Sequence, residues 1–184
     1  MTAASILWRR LDTSGHDACR LDQSDVVWIL DGTAVFCQGG TPARLAYRVE
    51  YDLKWHTKRG YVQGWIGTQS VELSISHVTG GAWILNGVIV SNLENCIDLD
   101  LGFTPATNLV PLRRLALRDG QAADVSAAWL DVSAGTLEVL PQHYERRAET
   151  KYWYEAPSLD YAAMLEVNHI GFIRRYPGLW EAEM

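Results

Sequence analysis

LAYRVEYDLKWH, residues 45–56, alternates along its whole length. Leu45, Tyr47, Val49, Tyr51, Leu53 and Trp55 are apolar, and Ala46, Arg48, Glu50, Asp52, Lys54 and His56 lie between them. A period of two puts the first set on one face of a pleated strand and the second on the other. A helix would scatter the same apolar residues around its circumference. The stretch therefore predicts a long strand over 45–55 with one buried and one solvated face.

The surrounding sequence extends the pattern in both directions. Upstream, DVVWIL (residues 25–30) reads as a buried strand, Asp31-Gly32 as a hairpin turn into TAVFCQ, and Gly39-Gly40-Thr41-Pro42 as a break. Residues 1–23 read as a short apolar start, SILW, followed by a polar loop. Downstream, Lys58-Arg59-Gly60 predicts a turn into YVQGWIG, where Gly64 suggests a bulge or a close approach. Val71, Leu73 and Ile75 alternate again. Trp83 to Leu85 and Val88 to Val90 flank Asn86-Gly87, the signature of a type I′ hairpin.

Residues 73–93 contain no Lys, Arg, Asp or Glu, a length that could suggest a membrane span. The turn signals Thr79-Gly80-Gly81 and Asn86-Gly87, with Ser74, Ser76 and His77, argue for a meander of strands instead. Further on, Asp119-Gly120 is a turn, residues 125–132 and 136–140 are strands, and Pro141 opens a loop or an edge. Residues 143–155 are long, charged and aromatic. Residues 158–167 are expected as strand rather than as a helix capped by Ser158. A turn at 168–171 precedes FIRRY and YPGLW. No repeat or linker divides the chain, so its 184 residues are expected to form one mainly β domain around a single core.

Composition narrows the function. Sixteen Lys and Arg stand against 22 Asp and Glu, a net charge of −6, so counterion release on nucleic acid would contribute nothing. The basic doublets are scattered rather than gathered into a tract. Eight Trp and eight Tyr accompany only three Phe. Such side chains have broad apolar faces and a polar tip, suited to half-buried walls and to sugar or headgroup contacts.

Three cysteines without a CxxC signal neither a metal knuckle nor a redox pair and fit reduced thiols, so a cytoplasmic protein is expected. No secretory signal or transmembrane segment is read. The five histidines lack metal-ligand spacing. No GxSxG, Walker loop or GxGxxG occurs. No cofactor and no metal are expected.

The densest polar chemistry lies in CIDLDLGFTPATNLVPLRR, residues 96–114. In a strand Asp98 and Asp100 would share a face, about 6–7 Å apart. That spacing could serve two-carboxylate hydrolysis. The same residues could equally face solvent or pair with Arg113 and Arg114. Gly102, Pro105 and Pro111, with Thr104, Thr107 and Asn108, suit a tight, self-hydrogen-bonded loop.

This segment resembles the hallmark C-x-D-x-D-L-G-x-[ST]-P-x-T-N-x-x-P-[IL]-R-R of the putative glycolipid-binding family, a bacterial domain. The resemblance continues through Gly64-Trp65, Ala128-Trp129, LPQHYER at 140–146 and the run from Leu165 to Trp180 that ends in YPGLW, so it spans nearly the whole chain. It implies a many-stranded antiparallel spiral sheet or half-open β-barrel, similar in shape to bacterial lipoprotein carriers and receptors. It also implies a glycolipid or other acyl-containing ligand in the concavity, without catalysis.

With the alternation, it nominates Tyr47, Tyr51, Trp55, Trp65 and Trp83 as an apolar wall. Asp98, Asp100, Asn108, Arg113 and Arg114 are the expected rim, the arginines suiting phosphate or carboxylate. Two other classes stay open. One is a hydrolase or transferase acting on a glycosyl or acyl substrate through Asp98 and Asp100. The other is an interaction module that pairs through an exposed sheet edge.

Overall fold

The computed structural model describes residues 2–78 and 81–183. The predicted turn at Thr79-Gly80 lies outside the described residues. Fifteen strands form one sheet in the order β8-β7-β6-β5-β4-β3-β2-β1-β15-β14-β13-β12-β11-β10-β9. The strands are β1 Thr2–Arg10, β2 Gly15–Gln23, β3 Trp28–Gln38, β4 Thr41–Tyr51, β5 Thr57–Ile66, β6 Gln69–His77, β7 Trp83–Leu85 and β8 Val88–Val90. They continue as β9 Asp98–Asp100, β10 Ala122–Asp131, β11 Thr136–Ala148, β12 Lys151–Ala156, β13 Tyr161–Val167, β14 Ile173–Tyr176 and β15 Trp180–Ala182.

Neighbours are antiparallel except β9 and β10. The sheet is curved and is not closed into a barrel. Its last strand, β9, instead comes up against β5: the Leu99 N–H donates to Thr57 Oγ1 at 3.1 Å and the Thr57 N–H to the Ile97 carbonyl at 3.4 Å. In the sheet order strands β6 to β8 continue beyond β5.

Alternation produces the faces as read. In β4, Ala43, Leu45, Tyr47, Val49 and Tyr51 are buried, and the residues between them are not. The Asn86-Gly87 hairpin forms, with both residues at positive φ as a type I′ turn requires. The predicted strand near the C-terminal end is β13, and Ser158 lies in a short 3₁₀ turn before it.

Several boundaries differ from the expectation, each for a tertiary reason. Asp31-Gly32 is not a turn but the middle of β3. A Cβ at Gly32 would lie 2.4 Å from the Tyr47 ring, so glycine makes room for that ring. Lys58-Arg59-Gly60 is likewise inside β5, where a Gly60 Cβ would meet Leu99 at 2.6 Å. The true reversal lies at 52–56: the Asp52 carboxylate accepts the Lys54 and His56 N–H groups and Trp55 takes φ +69°. This ends β4 at Tyr51 and leaves Leu53 outside the core.

The polar stretch 11–14 is a short turn between two full strands, β1 and β2, rather than a long loop. Residues 143–155 form most of the β11–β12 hairpin. Pro141 sits inside β11 opposite Ser126, two residues before β12 begins to pair.

Candidate functional site

The segment 96–114 builds the site because its two ends flank a parallel pair. Asp98 to Asp100 run alongside Ala127 to Trp129 in the same direction, so the chain must cross over between them. The crossover is a 3₁₀ turn, Ala106–Asn108, followed by helix α1, Leu109–Leu115. Gly102 starts it at φ +68°, where a Cβ would collide with the Trp129 indole. Thr104 Oγ1 accepts the Ala106 N–H at 3.0 Å and turns the chain inward. Pro111 falls in the first turn of α1, where its lost N–H removes no intrahelical bond. Ala116 in the left-handed conformation ends the helix.

Leu101, Phe103, Leu109, Val110 and Leu112 are buried in one cluster with the inward residues of the sheet. Transfer of each large side chain from water contributes about 1.5–3 kcal/mol. The segment therefore fills the concave face itself, where the sequence led one to expect an acyl chain.

Two polar networks hold it there. In the first, Asp17 of β2 is fully buried; the Tyr47 hydroxyl donates to its Oδ2 at 3.0 Å, and the Thr104 hydroxyl donates to the same oxygen. Burial, only partly offset by these two hydroxyls, raises the Asp17 carboxyl to about 6. In the second, Asp98, 2% exposed, takes a two-pronged bond from Arg114, Nε at 3.0 Å and Nη2 at 2.5 Å.

Asp100 accepts the Gly102 N–H and the Gln142 amide, each at 2.8 Å, and burial pushes its carboxyl up. Gln142 also donates to Tyr154 at 3.0 Å and accepts from Tyr144 at 3.3 Å, while Asn108 donates to Tyr144 at 3.1 Å. Beyond them Tyr154, Tyr161 and Tyr176 pack ring against ring, and Tyr161 donates to the Pro177 carbonyl of YPGLW.

The second network borders a groove of about 500 Å³. Arg114 and Leu115 of α1 form one wall with Asn95 and Ile97. Asp124, Val125 and Ser126 of β10 and Pro141, Gln142 and His143 of β11 form the other, closed at one end by Glu155 and Pro157. The groove exists because β9 covers only the later part of β10 and leaves residues 122–126 without a neighbour on that side. His143 Nδ1 lies 2.6 Å from Asp124, and Glu155 accepts from the Trp153 indole at 2.6 Å. A second depression, about 530 Å³, lies over β1 to β3 and is lined by none of the nominated residues.

The nominated residues thus separate. Asp98, Asp100, Asn108 and Arg114 come together around the second network. Tyr47, Tyr51 and Trp83 are buried on the inward face against the inserted segment; Trp83 donates to the Cys96 carbonyl at 3.0 Å. Among the described residues the buried Tyr51 hydroxyl and His77 Nε2 have no hydrogen-bond partner. Trp55 stacks on Trp28 at the rim, and Arg113 lies over Trp55 at 5.4 Å rather than beside Arg114. Trp65, 41% exposed, stands on the outer face of β5.

Residues that individual reading missed are Gln142, His143, Tyr144, Tyr154 and Glu155. The signal for three of them was the LPQHYER motif, whose Gln142 bonds Asp100. Among the described residues no group of three or more His, Cys, Asp or Glu stands close enough to hold a metal ion. No helix is long and apolar enough to cross a membrane.

Comparison with known proteins bears on the family and the fold. The family model described as putative glycolipid-binding matches residues 5–182. Among solved structures, a DUF1089 family protein from Pseudomonas aeruginosa matches at a TM-score of 0.81 and 28% identity, over 92% of each chain. No curated protein matches the chain.

Proposed function

The chain belongs to the putative glycolipid-binding family, and on that footing we propose that it binds the head of a glycolipid, or of another acyl-bearing amphiphile, in the groove between α1 and β10–β11. The observation that carries this reading is the meeting of the two polar motifs at one groove. CIDLDLG…LRR supplies Ile97 and Arg114, and LPQHYER supplies Pro141, Gln142 and His143; Asp98 and Asp100 stand behind the lining and hold Arg114 and Gln142 in place.

A sugar needs donors and acceptors at fixed positions around a half-apolar surface. Arg114 and Gln142 are fixed by their carboxylate partners. Asp124, His143 and Glu155 line the opening, and Ile97, Leu115, Val125 and Pro141 give an acyl stem an apolar path. Burial of such a stem contributes about 0.8 kcal/mol per methylene. The hydrolase or transferase reading would need a free Asp98, whose two oxygens are both held by Arg114.

Native mass spectrometry of the purified protein, with lipid analysis after denaturing extraction, tests the proposal. A discrete co-purifying amphiphile, released by Glu155→Gln together with His143→Ala, is the expected result. An unliganded wild-type protein that also leaves a panel of short-chain soluble glycolipids unbound in calorimetry would overturn it.

A further inference from the structure

The row of side chains at the opening of the groove is set by strand register. Asp124 pairs with His143 across β10 and β11, and His143 pairs with Glu155 across β11 and β12. The three therefore stand side by side on one face of the sheet, with the imidazole in the middle. Each acid is anchored through one oxygen. The Asp124 carboxylate, which can only accept, takes the Nδ1 proton of His143 at 2.6 Å, and Glu155 Oε1 accepts from the Trp153 indole at 2.6 Å. In the neutral ring this leaves His143 Nε2 with a lone pair. No described residue donates to it, to Asp124 Oδ2 or to Glu155 Oε2. The opening thus presents three acceptors in a row.

The charges have the same sense. Glu94, Asp98, Asp100, Asp124 and Glu155 line the groove or adjoin its lining. Against these carboxylates stand Arg114 and, on the loop after α1, Arg118. Glu145 with Arg147 and Asp119 with Arg146 are ion pairs and cancel. The balance stays acidic even when Asp100, whose carboxyl is pushed up by burial, holds its proton. Arg114 is turned to Asp98 through Nε and Nη2, and the Gln142 amide to Asp100 and Tyr154. Most of the donors that an anionic head would need are already committed.

A phosphate or carboxylate head would bring acceptors and negative charge to this row. A neutral sugar brings donors and acceptors without charge. An ammonium brings three donors, no acceptor and the complementary charge. We propose, resting on the groove reading above, that the head held there carries a protonated amine, as an amino sugar or an amino alcohol does, and that Asp124, His143 and Glu155 select it.

Calorimetry of the full chain tests this with amphiphiles that share an octyl stem and differ in the head: octyl glucoside, its 2-amino-2-deoxy analogue, octyl glucuronide and octylamine. The amino glucoside is expected to bind about tenfold more tightly than the glucoside, and the glucuronide most weakly. Octylamine has the charge without the ring. Affinity equal to that of the amino glucoside would point to an amino alcohol and lower affinity to an amino sugar, and either supports the amine. Asp124→Asn with Glu155→Gln is expected to bring the ratio of amino glucoside to glucoside affinity to about one. Raising KCl to about 0.5 M should shrink the same ratio in wild type, a readout that stands even if the variant misfolds. A wild type that binds the glucoside or the glucuronide as tightly as the amino glucoside, a ratio insensitive to salt, or a folded variant that keeps the wild-type ratio overturns the amine and leaves the groove reading standing. If none of the four heads binds, the groove reading itself fails, and the amine with it.

Discussion

Asp17 and Asp98 are two buried carboxylates that help hold the inserted segment, and they are neutralised in opposite ways. Among the described residues Asp17 is met by the Tyr47 and Thr104 hydroxyls, in a buried contact between β2, β4 and the segment. Asp98 is met by a full positive charge, Arg114, which borders the groove. Neutral donors offset desolvation only in part, and so the Asp17 carboxyl rises to about 6 and favours its proton. A bidentate guanidinium supplies charge and geometry together. The buried contact behaves as a structural fastening. The charged pair instead presents Arg114, with Gln142 nearby, to the groove in which binding is proposed.

The sharpest way to break the contrast is to remove the cation. Arg114→Met leaves Asp98 buried and uncompensated and is expected to cost about 3–5 kcal/mol in urea unfolding. Removing both charges, Arg114→Met with Asp98→Leu, should recover much of that loss. A double variant as unstable as the single one would show that the pair does not act as a unit.

Acid should next act through Asp17. Because the folded Asp17 value lies above its ordinary 3.8, the folded state binds the proton more tightly than the unfolded chain. Its contribution to stability is thus gained as pH falls through about 6, is complete below about 4, and is lost as pH rises. Over that window it amounts to about 3 kcal/mol. Wild type and Asp17→Asn should therefore differ in the pH slope of their unfolding free energies, the wild type losing more stability between pH 4 and pH 7. Parallel profiles would show that Asp17 is not the protonated group.

A smaller effect is expected at Gly32, where a methyl would press on the Tyr47 ring that fastens Asp17. Gly32→Ala should cost about 1–3 kcal/mol and also weaken the pH slope. A neutral outcome would mean that the ring yields without disturbing the contact. The smallest effect on stability belongs to the groove mouth: His143→Ala should change unfolding by less than about 0.5 kcal/mol while weakening amphiphile binding in calorimetry. Loss of stability without loss of binding would make His143 part of the fastening instead.

Much of the first half was legible because its signals are short-range. Alternation in β4 and β6, the Asn86-Gly87 hairpin and the preference for strand at 161–167 are set by residues within a few positions of each other. Misreadings clustered where a local sign had a distant cause. Asp31-Gly32 and Lys58-Arg59-Gly60 carry turn chemistry, yet their glycines answer to Tyr47 and Leu99 on other strands. Conversely, the 52–56 turn is made by an Asp52 side chain that alternation had assigned to a continuing strand. At the site, the motif brought Asp98, Asp100, Asn108 and Arg114 into view. Gln142, His143, Tyr144, Tyr154 and Glu155 join them only because β11 and β12 pass beside the crossover.

The sequence by itself determined the faces of the strands, the chemistry of most turns and the resemblance of the central segment, since each depends on spacing along the chain. Tertiary structure decided that this segment lies inside the curve of the sheet rather than at its rim. The parallel β9–β10 pair requires a crossover, and an apolar crossover is most stable when it covers the inward face. Tertiary structure also separated Arg113 from Arg114. Successive residues on a helix point about 100° apart, so one guanidinium reached Asp98 beside the groove and the other reached Trp55 at the rim.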